Sequence, residues 1–441
     1  MSKKIRLRLA GLVAFVSAMA LLLVAGGASA GWPQGGAVAP TNAKSAAVTA
    51  ATTEVLQETS ELRKLAILRP VKSGAQSRAE IERMIMKNLD EDTTPEEMHA
   101  TEVSLKKLGL VPQDFQYRPF IVSLLTEQVA GYYDPKEQEF FLADWIDVDG
   151  QKPVIAHELT HALQDQHFNL RRFEKWPKGD ADAELAAHAL VEGDATLAMQ
   201  LYIMRNPMRA IAMLRSIEAS GTSSEQIDKA PRALRESLLF PYQKGLTWVQ
   251  SLFKREGGWA RVSQAYNDLP QSTEQIMHIE KYISRDAPVK INLQDISNML
   301  GKGWKRIDYD VNGEWSFYLI LDEYLKSEVE STRGADGWGG DRYAVYESKP
   351  SGAVMIEQLT SWDSEKDAQE FFDAYAKRTE RRYSGAEMSE SLDSAKSSRR
   401  VWRTTEGSVL LERNGLRVLI LEGLPQTADS KALLRTVWQK T

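Results

Sequence analysis

The sequence predicts an α+β protein, in which a mainly helical unit with a small β-hairpin is followed by a small C-terminal α+β unit. Apolar residues recur at three- and four-residue spacing in 77–89 and 95–108, which is typical of packed helices, and 152–168 and 180–205 are predicted as two further helices separated by a break at 177–179. Aromatic runs on either side of Asp134-Pro135 predict a hairpin over 131–142. After the glycine-rich stretch 337–340, short strand-like segments replace the helical pattern.

The length of 441 residues fits two or three domains, and an apolar fraction of 43% is enough to form a core. We predict four segments: 1–30, 31–57, 58–335 and 336–441. In the last segment the pattern indicates strands at 343–346, 354–361, 399–403, 408–412 and 417–422, and helices at 367–377 and 428–439.

The first thirty residues have the layout of a secretory signal peptide. A basic start is followed by the apolar run 9–25 and by the small-residue site Ala28-Ser29-Ala30. This predicts export to the periplasm or the extracellular space after cleavage near Ala30, with no stable membrane span afterwards. The alternative is an uncleaved N-terminal membrane anchor. Residues 31–57 are rich in Ala and Thr with little charge, which predicts a disordered linker.

Charge and cysteine content restrict the possible partners. The formal net charge of -6 does not favour nucleic-acid binding. The chain has no cysteine, so a metal site has to be built from histidine and carboxylate ligands.

The predicted helix 152–168 has Pro153 in its first turn and contains His157-Glu158-Leu159-Thr160-His161. Histidines four residues apart lie on one helix face, so both imidazoles can reach a single metal ion. A glutamate next to the first histidine is placed to act as a general base on a metal-activated water. This pattern predicts a Zn²⁺ site, and the apolar rest of the helix supports it, since unpaired polar groups in a buried helix are costly.

Glu192 is the predicted third ligand, because it is a lone carboxylate in the apolar helix 180–205. His188, one turn earlier, is the runner-up, and Asp194 is expected to point elsewhere. Gly193 is expected to allow this helix to approach the zinc helix closely. Asp165 and His167 are expected to form a solvated helix end, although Asp165 is also a candidate for orienting His161.

His157-Glu158-x-x-His161 followed by Glu192-Gly193-x-Ala195 resembles the gluzincin metallopeptidases, which bind zinc through two histidines and a glutamate. The stretch 109–282 is similar to a group of exported bacterial proteins that share Gly-Tyr-Tyr-Asp-Pro and Leu-Val-Glu-Gly-Asp-Ala runs. The resemblance covers under half the chain and implies a zincin-like domain over 58–335 that hydrolyses peptide bonds. Thr196 stands where thermolysin-type enzymes have an aspartate, so their outer contacts cannot be carried over.

The resemblance implies a peptide or protein substrate, and the hairpin is a candidate for pairing with it as an added strand. An ordinary sheet edge is the alternative. The candidates for stabilising an oxyanion are His278, Tyr282, Arg342 and Tyr343. The helical segment before residue 110 is a candidate pro-region. The alternative function is a catalytically silent zinc-binding interaction module of the cell envelope.

Overall fold

The structure is a computed structural model that describes residues 41–438 except 174, 175, 177, 178, 221–224 and 395. The predicted signal peptide and residues 31–40 of the predicted linker lie outside the described residues. Among the residues described, no helix is long and apolar enough to cross a membrane. The described chain is α+β, as predicted.

The helical unit contains thirteen helices in the described part of the chain and three strands. The helices are α1 (Thr41–Arg63), α2 (Arg78–Asp92), α3 (Pro95–Leu108), α4 (Tyr117–Gln128), α5 (Lys152–Phe168), α6 (Ala181–Arg205), α7 (Met208–Ser220), α8 (Glu225–Lys229), α9 (Arg232–Phe253), α10 (Trp259–Ala265), α11 (Thr273–Met277), α12 (Ile279–Ser284) and α13 (Ser297–Leu300). The strands are β1 (Lys72–Gln76), β2 (Gly131–Asp134) and β3 (Glu139–Ala143).

The predicted hairpin is confirmed. Strands β2 and β3 pair antiparallel, with Tyr133 opposite Phe140, and β1 pairs parallel to β3 on its other side. In the turn, the Asp134 carboxylate accepts the backbone N–H groups of Lys136 and Glu137 at 2.7 and 3.1 Å. The sheet order β1-β3-β2 therefore leaves β2 as an outer strand.

Helix α1 corrects the linker prediction, because residues 41–57 are helical and part of the core. Val48, Val55 and Leu56 are buried against residues of α5 that include Ile155 and Leu159. Composition alone suggested disorder, since alanine and threonine form only a weak apolar pattern. The burial of a few well-spaced apolar side chains stabilises this helix, although the local sequence pattern does not predict it.

The helices α5 and α6 were predicted within a residue or two of their observed bounds. Helix α5 begins with Pro153 in its first turn and ends where Asn169 adopts a left-handed conformation. Helix α6 begins at the cap residue Asp180, whose carboxylate accepts the backbone N–H of Ala183 at 3.3 Å. These two helices carry the predicted metal ligands.

The C-terminal unit is built on a seven-stranded antiparallel sheet in the order β4-β5-β6-β10-β9-β8-β7. Its strands are β4 (Trp304–Asp310), β5 (Trp338–Ser348), β6 (Val354–Trp362), β7 (Glu387–Asp393), β8 (Ser397–Thr404), β9 (Gly407–Asn414) and β10 (Arg417–Leu424). The accompanying helices are α14 (Gly313–Leu325), α15 (Glu328–Ala335), α16 (Glu365–Arg382) and α17 (Ser430–Trp438).

Every predicted strand and helix of 336–441 is present, but the predicted boundary at residue 336 is wrong. Strand β4 pairs with β5, so the sheet unit begins near Trp304. The strand β7 was also missed, because its side chains are almost all exposed and lack an apolar alternation. Core residues of this unit, such as Ile291 and Leu293, therefore precede the predicted boundary by more than forty positions.

Candidate metal centre

The two histidines of α5 and Glu192 of α6 meet at one point. His157 Nε2 lies 3.2 Å from Glu192 Oε2 and 3.1 Å from His161 Nε2, and His161 Nε2 lies 3.4 Å from Glu192 Oε2. In a tetrahedral zinc site with bonds of about 2.0–2.1 Å, neighbouring ligand atoms are about 3.3–3.4 Å apart. The three atoms thus form one face of a tetrahedron of zinc dimensions, and the residues present fit the metal.

Charge and burial also favour a cation at this point. All three side chains are buried, and His157 has no exposed surface. Burial alone raises the pKa of Glu192, but His161 and His157 outweigh it and lower the pKa to about 2. Burial likewise lowers the pKa of His161, but Glu192 outweighs it and raises the pKa to about 9. Ionised Glu192 is thus paired with protonated His161, and a divalent ion at the same point would supply that positive charge and leave both imidazoles neutral.

A chain of hydrogen bonds orients His161. Its Nδ1 lies 2.8 Å from Gln164 Oε1, and Gln164 Nε2 donates to Asp194 Oδ2 at 3.0 Å. Asp194 also accepts Arg63 Nε at 2.5 Å and the Tyr266 hydroxyl at 2.8 Å. Such outer contacts fix the ring orientation of metal-binding histidines. Asp194 is not part of the group formed by His157, His161 and Glu192, as predicted, but its role in holding Gln164 was not foreseen.

Asp165 does not orient His161. Its Oδ2 accepts hydrogen bonds from Arg69 Nη2 at 2.8 Å and from the Tyr133 hydroxyl at 3.0 Å, and its Oδ1 accepts the backbone N–H of Leu170. Helical spacing allowed either Gln164 or Asp165 to reach the imidazole. The i+3 residue takes that position, and Asp165 instead ties the end of α5 to the hairpin.

Glu158 is held beside the metal ligands by the hairpin. Its Oε2 accepts the Tyr133 backbone N–H at 3.0 Å, whereas its Oε1 is buried and has no hydrogen-bond partner among the described residues. Burial raises the pKa of Glu158 to about 8, with the Glu192 charge adding to this and the His161 charge opposing it. The structure thus fixes this carboxyl group through one oxygen and leaves the other buried without a partner among the described residues.

His157 and His188 complete the surroundings of the ligands. The His157 ring stacks on Tyr242 with centroids 6.2 Å apart, and its Nδ1 is buried without a partner in the described chain. His188 is buried one turn before Glu192, and burial lowers its pKa to about 4. The three-ligand group contains His157, His161 and Glu192 but not His188. His188 is therefore a neutral neighbour of the metal centre.

Gly193 permits a close helix approach, but to α9 rather than to α5 as predicted. A Cβ atom at Gly193 would lie 2.3 Å from the backbone of Gly245, and one at Gly245 would lie 2.2 Å from the Ala189 carbonyl oxygen. The two glycines let α6 and α9 pack backbone to backbone. This contact fixes the helix that carries Glu192.

The other predicted site residues are used elsewhere. Tyr282 donates to the Asp268 carbonyl at 2.8 Å, Tyr343 donates to Asp308 at 3.1 Å, and Arg342 donates to the carbonyl of Ile291 at 3.2 Å. His278 lies 2.9 Å from Glu314. His167, at the exposed end of α5, contacts the Ala66 carbonyl at 2.8 Å. Among the described residues, none of these four oxyanion candidates forms a hydrogen bond with His157, His161 or Glu192.

Two features bear on access to the site. Helix α1 packs on Ile155, Leu159 and Leu163, which lie on the face of α5 opposite the ligands. Helix α1 therefore does not lie over the ligands. A cavity of about 140 Å³ lies between α3, α6, α9 and the sheet unit, and its lining includes none of the ligands or Glu158.

Comparison with known proteins bears on the sheet unit alone. A family model described as a domain of unknown function (DUF8575) matches residues 299–434, less than a third of the chain. This segment begins just before β4 and ends in α17, so it coincides with the seven-stranded sheet unit. No curated protein and no solved structure matches the chain.

Proposed function

We propose that this protein is an exported zinc-dependent metallopeptidase whose helical unit is zincin-like. The observation that carries the proposal is the triangle of His157 Nε2, His161 Nε2 and Glu192 Oε2, with edges of 3.1–3.4 Å. Two imidazoles and one carboxylate are a ligand set typical of catalytic zinc sites rather than of structural ones. A catalytic zinc site leaves one coordination position open for water or substrate.

The mechanism uses Glu158 as general base. A bound zinc ion would lower the pKa of a water molecule towards about 7 and polarise the substrate carbonyl. A cation held by the three ligands would favour the ionised form of Glu158, and its Oε1 would then take a proton from the attacking water and deliver it to the leaving amine. The Tyr133 N–H holds the other carboxylate oxygen, so the base keeps one orientation during transfer. Gln164 holds His161 Nδ1, so that its Nε2 faces His157 and Glu192 and would be free to bind a zinc ion.

The position of β2 supports a peptide substrate. It is an outer strand of the three-stranded sheet, and Tyr133 in its middle contacts the base directly. A peptide added along β2 would pass beside Glu158, which is the geometry that backbone hydrolysis requires. The net charge of -6 gives no support for nucleic acid as substrate.

A second candidate function is a catalytically silent zinc-binding interaction module. The observation that favours it is burial, because His161, the most exposed of the three ligands, shows only 8% of its side chain to solvent. Glu158 argues for catalysis, since a structural zinc site has no need of a buried base with one unpartnered oxygen.

Zinc content and hydrolysis of an unstructured protein distinguish the two candidates. The wild type should cleave the substrate, Glu158→Gln should retain zinc and lose activity by at least a hundredfold, and Glu192→Ala should lose most of the zinc. Glu139→Gln, on the neighbouring strand β3, is the matched control and should behave as wild type. Equal hydrolysis by wild type and Glu158→Gln would refute the mechanism, and zinc without turnover in the wild type would favour the silent module.

A further inference from the structure

A second group of metal-ligating side chains lies where the helical unit meets the sheet unit. It consists of His278 between α11 and α12, Glu314 in the first turn of α14 and Asp336 at the end of α15. His278 Nε2 lies 2.9 Å from Glu314 Oε1 and 3.6 Å from Asp336 Oδ1. The three residues come from separate elements, so the fold brings them together.

One carboxylate oxygen of Glu314 is not paired within the described chain. The residue has no exposed surface, and its Oε2 is buried without a hydrogen-bond partner in the described chain. His278 satisfies only the other oxygen. A buried charged oxygen without a partner is costly, so such an atom calls for a ligand.

The nearest lysine does not fill this role. Lys281 is one turn after His278, and its ammonium group bonds Glu274 at 2.5 Å and also Asp363. It is engaged by these two carboxylates and does not hydrogen-bond Glu314, although its charge favours the ionised form of that carboxyl group from a distance. Within the group itself, one imidazole faces two carboxylates.

We propose that His278, Glu314 and Asp336 bind a divalent transition-metal cation of the zinc class. The distances of 2.9 and 3.6 Å lie on either side of the ligand spacing of about 3.3 Å in a tetrahedral site. Glu314 provides a buried anchor, whereas Asp336, with 64% of its side chain exposed, leaves a route for the ion from solvent. One imidazole nitrogen with carboxylate oxygens suits zinc.

The proposed ion would join the two units of the protein. His278 belongs to the helical unit, whereas Glu314 and Asp336 belong to the segment matched by DUF8575. Binding would therefore stabilise the contact between the helical and sheet units, since a ligand that binds only the assembled state stabilises it. This role is independent of peptide hydrolysis at the first site.

Zinc titration of the metal-stripped full chain tests the proposal. The wild type should bind two equivalents, Asp336→Asn should lose one of them, and Glu192→Gln should lose the other. Asp363→Asn, a nearby exposed carboxylate outside the group, is the matched control and should bind two. If Asp336→Asn binds as much zinc as the wild type, or if Glu192→Gln removes all zinc, the second site is refuted.

A thermal measurement separates the second site from the first and from a folding defect. Zinc should raise the melting temperature of Glu192→Gln, and this shift should vanish in Glu192→Gln/His278→Ala. Both variants should have matching circular dichroism without zinc. The same zinc-induced shift in both would overturn the proposal, whatever the outcome at the first site.

Discussion

Replacing Arg63 with leucine should destabilise the protein by about 3–5 kcal/mol, because it removes one partner of a fully buried ion pair. Neither Arg63 nor Asp194 has exposed side-chain surface, and Arg63 Nε and Nη2 contact the two Asp194 oxygens at 2.5 and 3.0 Å. Arg63 also stacks on Trp259 at 4.4 Å. In Arg63→Leu, the Asp194 charge stays buried with Tyr266 and Gln164 as its remaining partners.

Urea-induced unfolding, followed by tryptophan fluorescence and circular dichroism, measures this loss. Arg69→Leu is the matched control: it removes the Arg69–Asp165 pair, in which the arginine side chain is 37% exposed, and should cost about 1 kcal/mol or less. Arg63→Leu/Asp194→Asn should be less destabilised than the sum of the single variants by about 2 kcal/mol. A loss in Arg63→Leu no larger than that of the control, or additive single effects, would refute the reasoning.

Three further predictions follow from the same packing and hydrogen bonds. Gln164→Ala should weaken zinc binding by about 10–100-fold, whereas Gln166→Ala should leave it unchanged, as measured by competition with a chelator. Gly193→Ala should destabilise the protein despite the helix preference of alanine, because the new Cβ meets backbone at 2.3 Å; Gly74→Ala, with its nearest neighbour at 3.8 Å, should not. Burial raises the pKa of Glu357 from 4.5 to about 7, so the contribution of this group to stability is full below pH 4.5 and is lost as the pH rises from 4.5 through about 7. Glu357→Gln should remove that loss, about 3 kcal/mol at pH 8, in unfolding curves measured from pH 4 to 8.

The local part of the metal centre was predictable from the sequence because helical spacing determines it. Four-residue spacing places His157 and His161 on one face, and a lone carboxylate in an apolar helix identified Glu192. The partners of Asp194 were not predictable, since Arg63 lies 131 residues away along the chain. Contacts between distant segments leave no periodic signal in a single sequence.

The errors in the prediction of the fold also come from contacts between distant segments. Helix α1 has few apolar side chains, and it is helical because α5 and the small sheet bury them. The sequence prediction placed strand β4 in the helical unit, because its partner β5 follows only after α14 and α15. For Gly193, the sequence indicated a close approach but not which helix approaches, and the structure identifies α9.

Diffraction from zinc-loaded crystals at the zinc absorption edge tests the central claim most directly. An anomalous peak should lie about 2.0–2.2 Å from His157 Nε2, His161 Nε2 and Glu192 Oε2 together. A zinc-loaded crystal with no peak at this point, or with a peak bound by a set of residues that excludes Glu192, would contradict the account.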